Sequence, residues 1–130
     1  QQCEYKNVVQ EVTEYLLNRA GLMQERQIGP DKIILDPGIG FAKNDEQNLR
    51  LMQNLNALTV NAWPVLLAAS RKMTIGNVLG ISQPLPPEER LEGTLAVTAA
   101  AVYAGASLVR VHDVKENVRL IRMLEAIRQV

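Results

Sequence analysis

Three short apolar runs along the chain each end in a cluster of polar or charged residues. Runs bounded in this way are typical of buried parallel strands, which deliver polar groups to the mouth of an α/β fold. The runs and the polar residues that follow them are 33–35 with Asp36, 65–69 with Ser70, Arg71 and Lys72, and 107–109 with Arg110, His112 and Asp113. The pattern therefore predicts three strands that carry polar groups at their carboxyl ends.

Amphipathic helices are predicted before and after the first apolar run. Over residues 5–26, apolar side chains recur at helical spacing, and Asn7 is the predicted N-cap. A second helix is predicted to begin at a cap formed by Asn44 or Asp45 and to continue to about residue 57. A glutamine three residues after Asn44 gives this helix start the form of a capping box.

Three further helices are predicted after the second and third runs. Thr74 is the predicted cap of a short helix over 75–79, and Pro87 is predicted to open a long apolar helix that ends near residue 104. Asp113, with a glutamate three residues later, has the form of a capping box ahead of the last helix. The apolar stripe of this last helix, which is predicted to face the core, is Val114, Val118, Ile121, Leu124 and Ile127.

The order of the predicted elements is one helix followed by three strand–helix units. This order is typical of right-handed β-α-β units with parallel strands, and it suits either a (β/α)8 barrel or a doubly wound sheet. Three strands cannot close a barrel, so in the barrel case the chain is only its C-terminal part. With 130 residues, 47% of them hydrophobic, we expect one domain with a sizeable core.

Charge, cysteine content and hydropathy restrict the possible partners and compartment. Lysine and arginine number 14, as do aspartate and glutamate, so nothing in the net charge favours a nucleic acid or an anionic membrane as a partner. No apolar stretch approaches the roughly 20 residues that span a bilayer, and no signal-peptide pattern is visible. The single cysteine, Cys3, has no partner for a disulfide. These features predict a cytoplasmic protein.

The polar groups at the strand ends are the candidate chemistry of this chain. Side chains alternate along a strand, so Arg110 and His112 share one face. Ser70 and Lys72 share a face in the same way if the second strand stays extended to its end, and the arginine between them then faces the helices. Because the carboxyl ends of parallel strands line the active sites of such folds, Asp36 is predicted to converge with these groups.

These residue types favour an anionic and an aminopyrimidine-like ligand. Arg110 offers a planar fork for a phosphate, with His112 as a second donor, and Asp36 accepts two N–H bonds from an aminopyrimidine-like edge. Taken singly, each residue has a plainer interpretation. Asp36 is then a turn aspartate, Lys72 a solvated lysine, Arg110 the partner of a rim carboxylate and His112 a capping group. Cys3 is far in sequence from the strand ends, and no residues have metal-ligand spacing.

Three motifs in this sequence resemble those of dihydropteroate synthase, the folate-pathway enzyme and sulfonamide target. Residues 36–43 resemble its Asp-Pro-Gly-x-Gly-Phe-x-Lys signature, 70–72 its Ser-Arg-Lys motif and 110–114 its Arg-Val-His-Asp-Val motif. The resemblance covers the whole chain but only the C-terminal half of the family's barrel. It implies an α/β fold with about three parallel strands and four to five helices, in which residues 1–130 are a single partial pterin-binding TIM-barrel domain.

The resemblance also implies a reaction and a role for each site residue. The family joins 4-aminobenzoate to 6-hydroxymethyl-7,8-dihydropterin diphosphate and releases diphosphate. Matched residue by residue, the implied roles are pterin binding by Asp36, Lys72 and Gly40, an aminobenzoate pocket formed by Phe41, Ser70 and Lys72, and diphosphate binding by Arg110 and His112. Many members have glycine where Ala68 stands in this chain.

The resemblance further implies a cofactor, an oligomeric state and the inactivity of this stretch alone. Mg²⁺ accompanies the diphosphate substrate, and its ligands are expected in the N-terminal half of the barrel, with none in this stretch. The family is usually homodimeric through its C-terminal helices. Because half of the barrel has no counterpart here, this stretch alone is expected to be inactive. The alternatives are a pterin-binding methyltransferase-like domain and a non-catalytic α/β module that associates through the apolar helix over 87–104.

Overall fold

The computed structural model describes residues 4–130, in which helices alternate with very short parallel strands. Cys3 lies outside the described residues. Turns of 3-10 helix occur at Pro30–Lys32 and Pro87–Glu89. The remaining elements are α1 (Val8–Glu25), α2 (Asp45–Gln53), α3 (Asn56–Thr59), β1 (Leu66–Leu67), α4 (Met73–Leu79), α5 (Leu91–Tyr103), β2 (Leu108–Val109) and α6 (Val114–Arg128).

The three predicted strand runs lie side by side, in parallel and in chain order. β1 pairs with β2, with Leu66 opposite Leu108. The first run contributes only one parallel bridge, between Leu35 and Val65, through the bonds Leu35 N–H to the carbonyl of Pro64 (2.9 Å) and Leu66 N–H to the carbonyl of Leu35 (2.8 Å). Two strands and a bridge therefore replace the predicted three strands. Regular pairing of the first run stays short because the run lies between the 3-10 turn at Pro30–Lys32 and the turn in which Asp36 accepts from the N–H of Gly38.

One face of these runs forms the core and the other is open. Along the first run Ile33 and Leu35 are buried, whereas Ile34 is 51% exposed, which is the two-residue alternation of an extended segment. The buried side chains pack against apolar residues of α1, α2, α3 and α5. Leu108 is 40% exposed on β2. A barrel strand would bury such residues against the other strands of the barrel.

Two predicted helix caps are confirmed. The Asn7 side chain accepts a hydrogen bond from the backbone N–H of Gln10 at 3.1 Å and caps α1. At the start of α2, the Asn44 side chain accepts from the N–H of Gln47, and the Gln47 side chain accepts from the N–H of Asn44, both at 2.9 Å. This reciprocal pair is a capping box. Local sequence decides these helix starts, because both partners lie within three residues.

Three predicted boundaries are wrong. The second helix stops at Gln53 and α3 follows separately, so residues 4–130 contain six α-helices against the four to five predicted. Thr74 does not cap α4; it lies inside that helix, buried, and its hydroxyl donates to Asp45 at 2.7 Å. The long helix does not begin at Pro87, because Pro87–Glu89 forms a 3-10 turn and the backbone leaves the helical conformation at Arg90 before α5.

The start and the stripe of α6 also differ from the prediction. Asp113 is the N-cap residue, but its side chain makes no capping bond because the carboxylate binds Arg71. Of the predicted core stripe, Val114, Val118 and Ile127 are exposed. Among the described elements α6 packs mainly against α5, so much of its surface has no neighbour to cover it. Within residues 4–130, no helix combines the length and the apolarity that crossing a membrane requires.

Candidate functional site

An open cavity of about 400 Å³ lies at the carboxyl ends of β1 and β2. Ser70 and Lys72 follow β1, and Arg110 and His112 follow β2, so the structure brings together four of the residues predicted for the site. The residues that line the cavity are Ala68, Ser70, Lys72, Arg110, Val111 and His112. Two permanent cations and an imidazole around one cavity are suited to a ligand that carries negative charge.

Arg71 turns away from the cavity, for a reason that differs from the predicted one. The strand ends at Leu67, and Arg71 adopts a left-handed backbone conformation with φ of 57°, so the extended alternation expected up to Lys72 is wrong. The Arg71 guanidinium forms a two-point bond to Asp113, with Nε–Oδ2 at 3.1 Å and Nη2–Oδ1 at 2.7 Å. These bonds raise the pKa of Arg71 and lower the pKa of Asp113. The pair ties the end of β1 to the start of α6.

Ser70 contacts His112 at two atoms. The Ser70 hydroxyl accepts a hydrogen bond from the backbone N–H of His112 at 3.1 Å and lies 2.9 Å from Nδ1 of the ring. Ser70 is only 7% exposed, whereas His112 is exposed beside the cavity. The carboxylate of Asp113, next along the chain, is bonded to Arg71. His112 is therefore paired with a serine, and its sequence neighbour does not form an Asp–His dyad with it.

Arg110 presents its guanidinium to the cavity. Its backbone N–H donates to the carbonyl of Leu67 at 3.0 Å, which fixes the start of the side chain against β1. Within residues 4–130 the guanidinium has no hydrogen bond or ion pair, so the interpretation of Arg110 as the partner of a rim carboxylate is wrong for the described part of the chain. Its five N–H donors are available to a ligand.

Lys72 connects the first motif to the cavity. Its ammonium lies 4.3 Å from the centre of the Phe41 ring, a distance typical of a cation–π contact. The lysine stem lies against Gly40, where an added Cβ would be 3.1 Å from Lys72 Cδ. Gly40 also has a φ of 81°, a conformation that glycine adopts without strain. Phe41 is 63% exposed, so the ring is open to a ligand.

Asp36 lies at the end of the first run but does not line the same cavity. Its Oδ1 accepts a hydrogen bond from the backbone N–H of Gly38 at 2.8 Å, so the carboxylate does organise the turn. Asp36 borders a different cavity, of about 410 Å³, together with Tyr5, Tyr15 and Lys43 among others. The predicted convergence of four charged or ionisable groups therefore holds for Lys72, Arg110 and His112 but not for the aspartate in this structure.

Asn48 is a buried polar residue that the sequence analysis missed. It is 2% exposed; its Oδ1 accepts from the N–H of Gly40 at 2.9 Å, and its Nδ2 donates to the hydroxyl of Thr74 at 3.0 Å. This single amide joins the glycine loop to α4. A sequence signal was present, because Asn48 lies three and four residues before buried Leu51 and Met52 and therefore on the same helix face.

Arg90 is a second buried residue that supports the site. It is 5% exposed, its Nε donates to the carbonyl of Leu85, and its Nη1 donates to the carbonyl of Arg71, both at 2.7 Å. The guanidinium lies against Gly76, where an added Cβ would be 2.5 Å from Nε. No local signal predicts its burial, because it follows two glutamates in a proline-rich segment that is typical of a solvated loop.

Comparison with known sequences identifies the family. A sequence profile described as "pterin binding enzyme" matches residues 1–112. The chain belongs to the pterin binding enzyme family. The resemblance to dihydropteroate synthase is confirmed as well: the enzyme of Clostridium beijerinckii is 42% identical over 125 residues, which are 95% of this chain and 45% of that protein.

Two further comparisons are with a relative that is named as inactive and with a solved structure. A protein of Mycobacterium bovis named inactive dihydropteroate synthase 2 is 35% identical over 130 residues, 97% of this chain and 40% of that protein. The structure of Xanthomonas albilineans dihydropteroate synthase with 4-aminobenzoic acid superposes with a TM-score of 0.93 at 34% identity, over 98% of this chain and 46% of that one. The fold is thus part of a TIM barrel. The chain spans less than half the length of these relatives.

The described residues of this chain do not form a metal site. Within residues 4–130 no three histidine, cysteine, aspartate or glutamate side chains are grouped so as to hold a metal ion. The charged groups that line the cavity between β1 and β2 are Lys72 and Arg110, which repel a cation. The donor set of the cavity therefore does not fit Mg²⁺, whereas its positive charge is suited to an anion.

Proposed function

We propose that this chain forms one side of the active site of a dihydropteroate synthase, a transferase of folate biosynthesis. In the proposed reaction the amine of 4-aminobenzoate attacks the methylene carbon of 6-hydroxymethyl-7,8-dihydropterin diphosphate. A C–N bond forms, the C–O bond to diphosphate breaks, and the amine loses a proton to solvent. The observation that carries this proposal is the cavity lined by Lys72, Arg110 and His112, next to the loop that holds Gly40 and Phe41.

Arg110 and His112 are the proposed binding groups for the diphosphate. A guanidinium makes two parallel N–H bonds to phosphate oxygens, and an imidazole N–H adds a third donor. Negative charge grows on the leaving oxygen as the C–O bond breaks, so donors already in place stabilise the transition state more than the ground state. The unpaired guanidinium of Arg110 is available for this role because it has no protein partner within the described residues.

The pterin and the aminobenzoate are assigned to the loop side of the site. Asp36 keeps one carboxylate oxygen without a bond in residues 4–130 and is the proposed acceptor for the pterin N–H edge. Lys72 and Gly40 would also contact the pterin, and Phe41, Ser70 and Lys72 would border the aminobenzoate. The 4-aminobenzoic acid bound to the Xanthomonas albilineans enzyme supports this ligand for the family fold. By the same resemblance, the site would be a target of sulfonamides.

The remaining parts of the proposal concern the whole protein. Residues 1–130 would be part of a single TIM-barrel domain of a cytoplasmic enzyme, with three successive strand ends along one side of the site. Mg²⁺ would accompany the diphosphate, with its ligands supplied by the half of the barrel that has no counterpart here, because the groups of this chain do not fit it. The exposed apolar side chains of α6, Val118, Met123 and Ile127, support a homodimer through the C-terminal helices.

A non-catalytic pterin-binding protein is the second candidate function. It is favoured by the Mycobacterium bovis relative, whose name describes it as inactive. A pterin-dependent methyltransferase is favoured less, because a methyl carrier has no diphosphate and needs no pair of donors such as Arg110 and His112. Binding of diphosphate therefore separates both synthase-like candidates from the methyltransferase, and turnover separates the synthase from its inactive relative.

Calorimetric titration of this chain with inorganic diphosphate tests the proposed site. We expect binding that Arg110→Ala weakens about tenfold or more, because a two-point bond between charged groups is lost. Arg119→Ala is the matched control, since Arg119 is an exposed arginine of α6 away from the cavity, and its affinity should equal that of the unmodified chain. Equal affinity of the Arg110→Ala variant, or no binding by the unmodified chain, would contradict the assignment.

A further inference from the structure

The hydrogen bonds between Ser70 and His112 restrict which nitrogen of the imidazole ring carries the proton. A serine hydroxyl has one donor and two acceptor positions. The backbone N–H of His112 occupies one acceptor position at 3.1 Å, and ring Nδ1 lies 2.9 Å from the same oxygen. Within residues 4–130 no other acceptor bonds this hydroxyl, and Ser70 is 7% exposed. The hydroxyl proton is satisfied within the described chain only if Nδ1 accepts it.

The opposite proton arrangement leaves a buried donor without a partner. If Nδ1 carried the ring proton, it would donate to the second acceptor position of the hydroxyl. The Ser70 O–H would then have no acceptor in the described chain, whereas the first arrangement gives this largely buried hydroxyl an acceptor in Nδ1. The neutral ring that satisfies every group has an unprotonated Nδ1 and a proton on Nε2.

The neighbouring carboxylate does not compete for the ring. Asp113 follows His112 directly and would be the natural acceptor for a protonated Nδ1, but both of its oxygens are bonded to Arg71, at 3.1 Å and 2.7 Å. Successive residues at the end of β1 therefore hold successive residues at the end of β2. Ser70 holds His112, and Arg71 holds the carboxylate of Asp113, which makes no hydrogen bond to the ring within residues 4–130.

We propose that Ser70 is a positioning residue, which holds the imidazole of His112 in the Nε2–H tautomer and leaves Nε2–H as a donor for an anion in the cavity. The resemblance assigns Ser70 to the aminobenzoate pocket; in this proposal it acts on the diphosphate side, through His112. The identity of the anion as the diphosphate group rests on the proposed function. The state of the ring does not, because it follows from the hydrogen bonds of Ser70 alone.

The ring nitrogens of His112 report this arrangement directly. His112 is the only histidine of the chain, so long-range ¹⁵N–¹H spectra of the imidazole need no assignment. At a pH where the ring is neutral, we expect an unprotonated Nδ1 and a protonated Nε2. In Ser70→Ala both nitrogen shifts should move towards the averaged values of a free histidine, whereas Ser70→Thr, which keeps the hydroxyl, should preserve them. Ser107→Ala, at an exposed serine before β2, should leave them unchanged.

Two spectral outcomes would overturn the proposal. A protonated Nδ1 in the unmodified chain would overturn it, and this measurement needs no variant. The test therefore remains decisive even if Ser70→Ala fails to fold. Ring shifts in a folded Ser70→Ala variant that match those of the unmodified chain would also overturn the proposal. An amide spectrum of each variant shows whether it has folded.

Binding of inorganic diphosphate tests the consequence for the ligand. We expect Ser70→Ala and His112→Ala each to weaken binding about tenfold, and the double variant to bind no more weakly than His112→Ala. Independent, multiplying losses would contradict a role through His112. If the unmodified chain binds no diphosphate, the proposed function fails, whereas the imidazole spectrum still confirms or overturns the role of Ser70.

Discussion

At the scale of single residues, the site depends on two positions with left-handed backbone. Gly40 has a φ of 81° and lies against the aliphatic part of Lys72, so both the backbone conformation and the lysine disfavour a side chain at this position. Arg71 has a φ of 57° although it carries a side chain, which costs free energy. The two bonds of its guanidinium to Asp113 and the bond from its N–H to the hydroxyl of Thr94 offset that cost.

Replacing Gly40 should destabilise the fold, whereas replacing a helical glycine should not. In Gly40→Ala the methyl group meets both the backbone strain and Lys72 Cδ at 3.1 Å, so we expect a loss of about 1–2 kcal/mol in the free energy of unfolding. Gly21→Ala is the matched control, because an added Cβ there has nothing within 4 Å, and alanine favours the interior of α1 by about 0.5–1 kcal/mol. Urea denaturation measures the free energy of unfolding of both variants. A change of the same sign in the two variants would contradict this explanation.

At the scale of elements, side-chain hydrogen bonds join the strand ends, because the strands are too short for long runs of backbone hydrogen bonds. β1 and β2 are two residues each, yet Ser70 and Arg71 bind His112 and Asp113 across the gap. Two buried residues support this junction from behind. Arg90 bonds the carbonyl of Arg71, and Asn48 joins the glycine loop to α4. A site built in this way is rigid at the strand ends, because buried and satisfied polar groups restrict its turns.

The Arg71–Asp113 pair should make stability depend on pH in a defined direction. The hydrogen bonds from Arg71 lower the pKa of Asp113 in the fold, so the pair stabilises the fold above the ordinary carboxyl pKa of about 4, and this stabilisation is lost as the pH falls through the lower, folded value. We therefore expect Asp113→Asn to unfold at lower urea than the unmodified chain at neutral pH, with the difference shrinking below about pH 4.

The isosteric amide is a suitable probe because asparagine is itself a good N-cap residue. Glu125→Gln, at an exposed glutamate of α6, is the control that removes one charge without touching the pair, and its difference from the unmodified chain should stay small at every pH. A destabilisation by Asp113→Asn that is the same at pH 3 and pH 7 would show that the ion pair is not its cause.

At the scale of the whole molecule, the chain presents one wall of a site. Ile34 and Leu108 are exposed on the sheet face that a complete barrel would enclose, and the chain spans 45% of the Clostridium beijerinckii relative. The groups proposed to bind an anion lie on this wall, and Asp36 borders a different cavity from Lys72. Catalysis by charge stabilisation needs all donors and both substrates held in one geometry, so we expect a single wall not to support turnover.

We expect the 130-residue chain to bind inorganic diphosphate but to form no dihydropteroate. The assay adds 4-aminobenzoate and the dihydropterin diphosphate to the purified chain, with the Clostridium beijerinckii enzyme as the positive control in the same buffer. Because half of the family's barrel has no counterpart here, product should stay at the level of the reaction without protein. Robust product formation by this chain would show that one wall does suffice.

The sequence by itself determined the features that depend on near neighbours. The capping interactions of Asn7 and Asn44 follow from partners within three residues, and the strand runs follow from short apolar segments bounded by turn residues. Strand order and parallel direction then place Ser70, Lys72, Arg110 and His112 at the same sheet edge, which is why their grouping around one cavity could be predicted.

Only the tertiary structure decided the pairs that hold the site together. Ser70 and His112, and Arg71 and Asp113, are each 42 residues apart, so no local pattern shows that they are partners. The burial of Arg90, like the exposure of three of the five residues of the α6 stripe, depends on which elements pack nearby. Periodicity records which residues share a face, but the neighbours of that face are set by contacts distant in sequence, and these decide which polar groups are free to bind a ligand.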